Sequence, residues 1–215
     1  MIETLVKKQK RASKIYTLLV STYPDGGKCF LNYSAPHELL IASILSKNCS
    51  HKHVNVVSKN LFNKYHSAQD FAYCNIESLI EDISSINSHD EKAKSIKLAC
   101  LDVVQKHNGV VPHSYDDLVV LPGVEYITAK LLISEIYNIP TVVIETHMFR
   151  IMRLLGFTRS DDVMNTEKDI VKIFKESLWL KLTYLIISHG KSICNKIKPK
   201  CKKCILNRLC PSSSF

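Results

Sequence analysis

The chain has no run of eighteen or more apolar residues, no internal repeat and no low-complexity tract. The first absence argues against a membrane-spanning helix and the second against a solenoid, while Pro211 to Phe215 is expected as a loose tail. No apolar leader stands at Met1-Ile2-Glu3, so a soluble intracellular protein is expected. Sustained period-two alternation is missing too, apart from one short β-prone run, Thr141 to Ile144. What remains is helical periodicity, and the expected fold class is all-α.

The 215 residues suffice for one large or two small domains, and the formal net charge is +9 with a pI near 9.1. That balance favours a polyanionic partner such as nucleic acid, although a basic surface also serves solubility. Eight cysteines fall into two classes by spacing. Cys29, Cys49, Cys74 and Cys100 are scattered and read as reduced thiols. Cys194, Cys201, Cys204 and Cys210 form C-x6-C-x2-C-x5-C, a spacing that wraps one loop around a tetrahedral or cubane centre. Two disulfides are the alternative, disfavoured without a secretory signal. Lys196, Lys198, Lys200, Lys202 and Lys203 lie among these cysteines and make the loop a dense positive patch.

Local signals place the helices. A basic amphipathic helix spans roughly Glu3 to Tyr23, and Pro36 opens a helix apolar on nearly every face through Leu45. Others are expected over Val54–Tyr65, Asn75–Ile83, Glu91–Lys106, Thr166–Ser177 and Leu178–His189, the last ended by Gly190. A short helix, Ser114 to Val120 with Ser114 as N-cap, runs into Leu121-Pro122-Gly123-Val124, and another starts near Tyr126. Pro122 cannot continue the first helix, and Gly123 can take the angles of a sharp reversal. This is a helix–hairpin–helix, whose second helix offers unpaired N-terminal amides to a phosphate. An ordinary helix connection has the same look, so other parts of the chain must decide. Beyond Pro140 the β-prone run ends in Glu145-Thr146-His147, with helix resuming at Met148.

Taken with the Glu145-Thr146-His147-x-x-Arg150 block, His189-Gly190 and the cysteine spacing, the chain resembles the endonuclease III branch of the helix–hairpin–helix DNA glycosylase superfamily over nearly its full length. Weaker agreement lies in Glu38-Leu39-Leu40-Ile41-Ala42, Lys92-Ala93 and His107-Asn108-Gly109. The resemblance implies two helical domains with a DNA-binding groove between them. One is a six-helix barrel with the hairpin, residues 29–139; the other, residues 1–28 and 140–215, carries a 4Fe–4S cluster on Cys194, Cys201, Cys204 and Cys210. It further implies an enzyme that flips damaged bases, oxidised pyrimidines foremost, from double-stranded DNA and cuts the glycosidic bond; nothing in the sequence suggests more than a monomer. The expected location is a reducing compartment that holds DNA. DNA contacts fall on Gly123, Val124, Glu125, Asn48, His147, Arg150, Lys198, Lys200 and Lys202.

The departures sit on the active face. The family's Schiff-base lysine position holds Ile127, which has no nucleophile, so the AP-lyase step as the family performs it lacks its amine. The second hairpin glycine is Glu125, a negative side chain where backbone should meet phosphate. The catalytic aspartate position holds Glu145, which keeps the charge and moves it by about an ångström. Asn48 stands where a gap-filling glutamine is usual. Lys130, one turn beyond Ile127, is a substitute amine to consider, and Lys47 a weaker one. The sequence thus supports a glycosylase using Glu145. Its alternatives are a DNA-binding paralogue without catalysis and, last, a metal-loop protein unrelated to DNA.

Overall fold

The computed structural model describes residues 3–213; Met1, Ile2, Ser214 and Phe215, at the outer ends of the expected cluster domain, lie outside the described residues. Among the described residues there is no strand. The described residues form eleven α-helices: α1 (Leu5–Thr22), α2 (Pro36–Ser46), α3 (His51–Lys64), α4 (Ala68–Tyr73), α5 (Ile76–Asp82), α6 (His89–Lys106), α7 (Tyr115–Val119), α8 (Tyr126–Tyr137), α9 (Thr146–Leu154), α10 (Val163–Ile173) and α11 (Trp179–Ser192). The chain divides into two compact units, residues 29–139 and residues 1–28 with 140–215. None of these helices is long and apolar enough to cross a membrane.

In the unit of residues 29–139, α2 is the centre. Every residue from Leu39 to Leu45 is buried, as its all-round apolar character requires. Glu38 closes its start by accepting from the Ser34 and Ala35 amides. Its other end is closed by Lys92 of α6, whose ammonium donates to the Leu45 carbonyl at 2.9 Å and the Lys47 carbonyl at 2.6 Å. Burial lowers the Lys92 pKa, yet two carbonyl acceptors keep the buried charge solvated. Helix α4 was not expected from the sequence, although its signal is there: Ser67 accepts from the Asp70 amide while Asp70 accepts from the Ser67 amide. Helix α3 also begins earlier than expected, because Ser50 caps it and draws in His51.

In the other unit, the Ala12, Ile15 and Leu19 stripe of α1 packs into one core with Met148, Ile151 and Met152 of α9, Ile170 of α10 and Leu182, Leu185 and Ile186 of α11. Three expectations are corrected here. The Thr141–Ile144 run pairs with no strand: Val142, Val143 and Ile144 are buried as an extended connection, and the Val143 carbonyl is satisfied by the Thr183 hydroxyl at 3.2 Å. Helix α10 starts at Val163, because the Asp162 carboxylate caps the Met164 and Asn165 amides, and stops at Ile173, where the Phe174 backbone turns extended. Gly190 does not end α11, which continues to Ser192.

Replacing Lys92 by Met would leave two carbonyls at the end of α2 without a donor. We expect a loss of about 1–3 kcal/mol of unfolding free energy, read as a lower denaturant midpoint at unchanged slope.

Candidate active site and metal centre

The hairpin forms as its residues dictate. Val124 N donates to Leu121 O at 3.0 Å, and Gly123 takes φ +80°. A Cβ there would stand 2.9 Å from Ser95 Cβ and 3.2 Å from Ile44 Cγ2, so backbone angle and crowding both demand glycine. Glu125 is the N-cap residue of α8, but its side chain makes no cap bond. Its carboxylate instead holds the Lys47 ammonium, both side chains exposed. The Glu125 carboxylate is thus paired with a cation from the end of α2. Glu125 in turn raises the Lys47 pKa, which works against Lys47 as a nucleophile.

Ile127, in the first turn of α8, is 38 % exposed, an apolar side chain left facing solvent. The Lys130 ammonium lies 5.1 Å from the Tyr126 ring centroid, a cation–π contact within its own helix. Asn48 has left-handed backbone (φ 54°), and its carbonyl accepts from Asn87 Nδ2 at 3.3 Å. Asn48, Lys47 and Gly123 share the wall of a cavity of about 210 Å³ with Lys92 and Ser95.

In the other unit Glu145 is the N-cap of α9, which begins at Thr146 rather than Met148. One carboxylate oxygen accepts from the Met148 amide at 2.6 Å, so the longer glutamate still caps the helix and its charge meets the positive end of the dipole. Two residues on, the His147 ring lies against Gly190: a Cβ built there would be 2.3 Å from His147 Nδ1 and 2.9 Å from Cγ. The glycine sits inside α11 because its missing side chain admits the imidazole. His147 Nδ1 is buried without a hydrogen-bond partner, and burial lowers the His147 pKa against the pull of Glu145. The next residue, Lys191, stands within the electrostatic field of Glu145; the protein around it lowers its pKa, and the carboxylate opposes that. This lysine is exposed and escaped the sequence reading, since 46 residues separate it from Glu145.

Arg150, one turn along α9 from His147, donates to the Cys194 carbonyl and lies 3.6 Å from Cys194 Sγ. Cys194, Cys201, Cys204 and Cys210 are all free thiols that together line a cavity of about 100 Å³, with Leu154 and His189 among its walls. Among the described residues no three His, Cys, Asp or Glu side chains converge closely enough to hold a single ion. Burial first, and then the other cysteines, push the Cys204 and Cys210 thiols up. Bound iron would reverse this penalty, because metal coordination deprotonates a thiol. The donor set therefore fits a centre that the four sulfurs surround. The Lys198 amide on Asn195 Oδ1 (2.7 Å) and the Lys200 amide on Ile193 O (3.0 Å) shape the loop, and its five lysines point into solvent. His189, 2 % exposed, has its pKa pushed down to about 4, by burial and then by Arg150.

Residues 41–176 match the HhH-GPD superfamily, described as base excision DNA repair proteins. Over 214 residues the chain is 35 % identical to the endonuclease III of Synechocystis sp., covering 99 % of this chain and 97 % of that one. The endonuclease III of Bacillus subtilis is 34 % identical over 184 residues, 85 % of this chain and 84 % of the relative. Among solved structures, a non-covalent endonuclease III–DNA complex superposes with a TM-score of 0.90 at 34 % identity, covering 99 % of this chain and 97 % of that chain. A trapped endonuclease III–DNA covalent intermediate gives 0.89 at 34 % identity, covering 99 % and 98 %. The chain belongs to the endonuclease III family within the HhH-GPD superfamily.

Gly190→Ala should destabilise the protein by about 1–3 kcal/mol through the clash with His147. In a His147→Ala background the same change should cost less, and a double-mutant cycle on denaturant midpoints reads the difference.

Proposed function

We propose that the protein is a base excision repair DNA N-glycosylase of endonuclease III type that acts on double-stranded DNA, with oxidised pyrimidines as its substrate class. The observation that carries this reading is Glu145 at the start of α9, one oxygen tied to the Met148 amide, at the family's aspartate position in the Glu145-Thr146-His147-x-x-Arg150 block. As the glycosidic bond breaks, the base leaves with the electron pair and C1′ gains cationic character. The Glu145 carboxylate stabilises that charge, and water completes the hydrolysis. Ile127 supplies no amine, so the protein works without the family's own lyase step.

Phosphates are held at the hairpin of Gly123 and Val124 and by Lys198, Lys200 and Lys202 of the cysteine loop, with Asn48 at the flipped base's vacancy. Arg150 and His147 serve that interface by fixing the loop and the start of α9. The four cysteines hold a 4Fe–4S cluster, and when bound it locks the basic loop against the duplex. A second reading, a DNA-binding paralogue without catalysis, is favoured by Glu125 at the hairpin, whose carboxylate occupies Lys47.

On a duplex carrying one thymine glycol, Glu145→Gln should lower single-turnover base release by about 10²-fold or more. A variant within a few-fold of wild type would count against Glu145. Glu125→Gly should tighten duplex binding and steepen the salt dependence by about one phosphate contact, because Lys47 is freed for the backbone. Equal slopes for the two proteins would sink the charge-pair account.

A further inference from the structure

One polar chain centred on the buried His189, unused in the reaction above, runs from the end of α1 to the cysteine loop. Tyr23 follows the last residue of α1, and its hydroxyl lies 2.9 Å from His189 Nδ1 and 3.0 Å from Ser192 Oγ. Across the ring, His189 Nε2 lies 3.5 Å from Cys204 Sγ. The two aromatic rings meet edge to face, centroids 5.9 Å apart.

Counting protons fixes the direction of this chain. A cysteine sulfur bound to iron has no S–H and can only accept, so Nε2 must carry the hydrogen that points at Cys204. In the neutral imidazole Nδ1 is then an acceptor, and the Tyr23 hydroxyl is the donor placed at it. Ser192 gives its own proton to the Ser188 carbonyl at 2.8 Å, so its Oγ stands beside the Tyr23 hydroxyl as a second acceptor and not as a donor. The opposite tautomer would aim a nitrogen lone pair at a sulfur lone pair. Side chains behind a metal ligand commonly set its orientation and electronics in this way.

We propose that Tyr23 and His189 are a positioning pair for the iron–sulfur centre: Tyr23 holds His189 as its Nε2–H tautomer, and His189 donates that hydrogen to the Cys204 sulfur. This rests on the cofactor reading above. The donated hydrogen draws electron density from the ligand, favours the more electron-rich state of the cluster and raises its reduction potential. It also couples the N-terminal helix to the loop that carries the basic patch, since deleting one hydroxyl on α1's C-cap residue changes the electronics at a cysteine 181 positions away.

Tyr23→Phe tests this directly, because it keeps the edge-on ring and removes only the proton. The purified holo-protein would be assayed for iron and acid-labile sulfide, for midpoint potential by protein-film voltammetry, and for exchangeable-proton coupling to the paramagnetic cluster by pulsed EPR in H2O and D2O. Full iron and sulfide with a lowered potential and a weakened coupling is the expected result, and His189→Leu should lower the potential at least as far. Should His189→Leu fail to hold the cluster, Tyr23→Phe alone decides. A fully loaded Tyr23→Phe protein with wild-type potential and coupling overturns the proposal and leaves the cofactor reading standing. Wild-type protein free of iron and sulfide overturns both.

Discussion

The contact between the His147 ring and the Gly190 backbone is the constraint on which the unit of residues 1–28 and 140–215 depends. It sets how closely α9 and α11 approach, and almost everything chemical in that unit hangs from those two helices. Glu145 stands two residues before the contact on the Met148 amide, and Arg150 one turn beyond it on Cys194. On α11 the neighbours of Gly190 are His189, turned to Cys204, and Lys191, in the field of Glu145. A carboxylate and a cysteine loop are thus held by one steric fit. The buried His147 Nδ1 without a partner is an accepted cost of that fit, moderated by the neutral state that burial favours.

The hairpin-bearing unit answers a different constraint, the burial of an entirely apolar helix. Because α2 is covered on all sides, its polar ends must be closed from within the unit, by Glu38 at one end and Lys92 at the other. Lys47, at the same end, is left exposed and meets Glu125. An exposed ion pair of this kind contributes little stability. Its consequence is electrostatic: the Glu125 carboxylate at the hairpin carries a cation beside it. Substitution and partner lie on different helices, and only the fold shows that they are neighbours.

Much of this was legible in the sequence because the signals were local. Ser114, Pro122, Gly123 and Tyr126 mark the hairpin residue by residue, and the four cysteines declare a shared loop by spacing alone. The Thr141–Ile144 run misled because β-branched residues mark burial as well as strands, and here a helix hydroxyl satisfies the carbonyl that a ladder would have taken. Gly190 misled because a glycine reads as a helix stop until something is seen to occupy the space it leaves. Tyr23, Lys191 and the role of Lys92 were illegible for one reason: each acts on a partner at least 45 positions away, and no periodicity or motif records that distance.

The central claim is that base removal proceeds from Glu145 without a Schiff-base amine. The most direct test is single-turnover incubation with a duplex carrying one thymine glycol, scored for strand breaks before and after alkali, alongside borohydride treatment on an abasic duplex. The account predicts breaks only after alkali and no borohydride-trapped adduct. An adduct, mapped by mass spectrometry to Lys191, Lys130 or Lys47, would contradict it, and so would intact DNA after alkali when the duplex is bound.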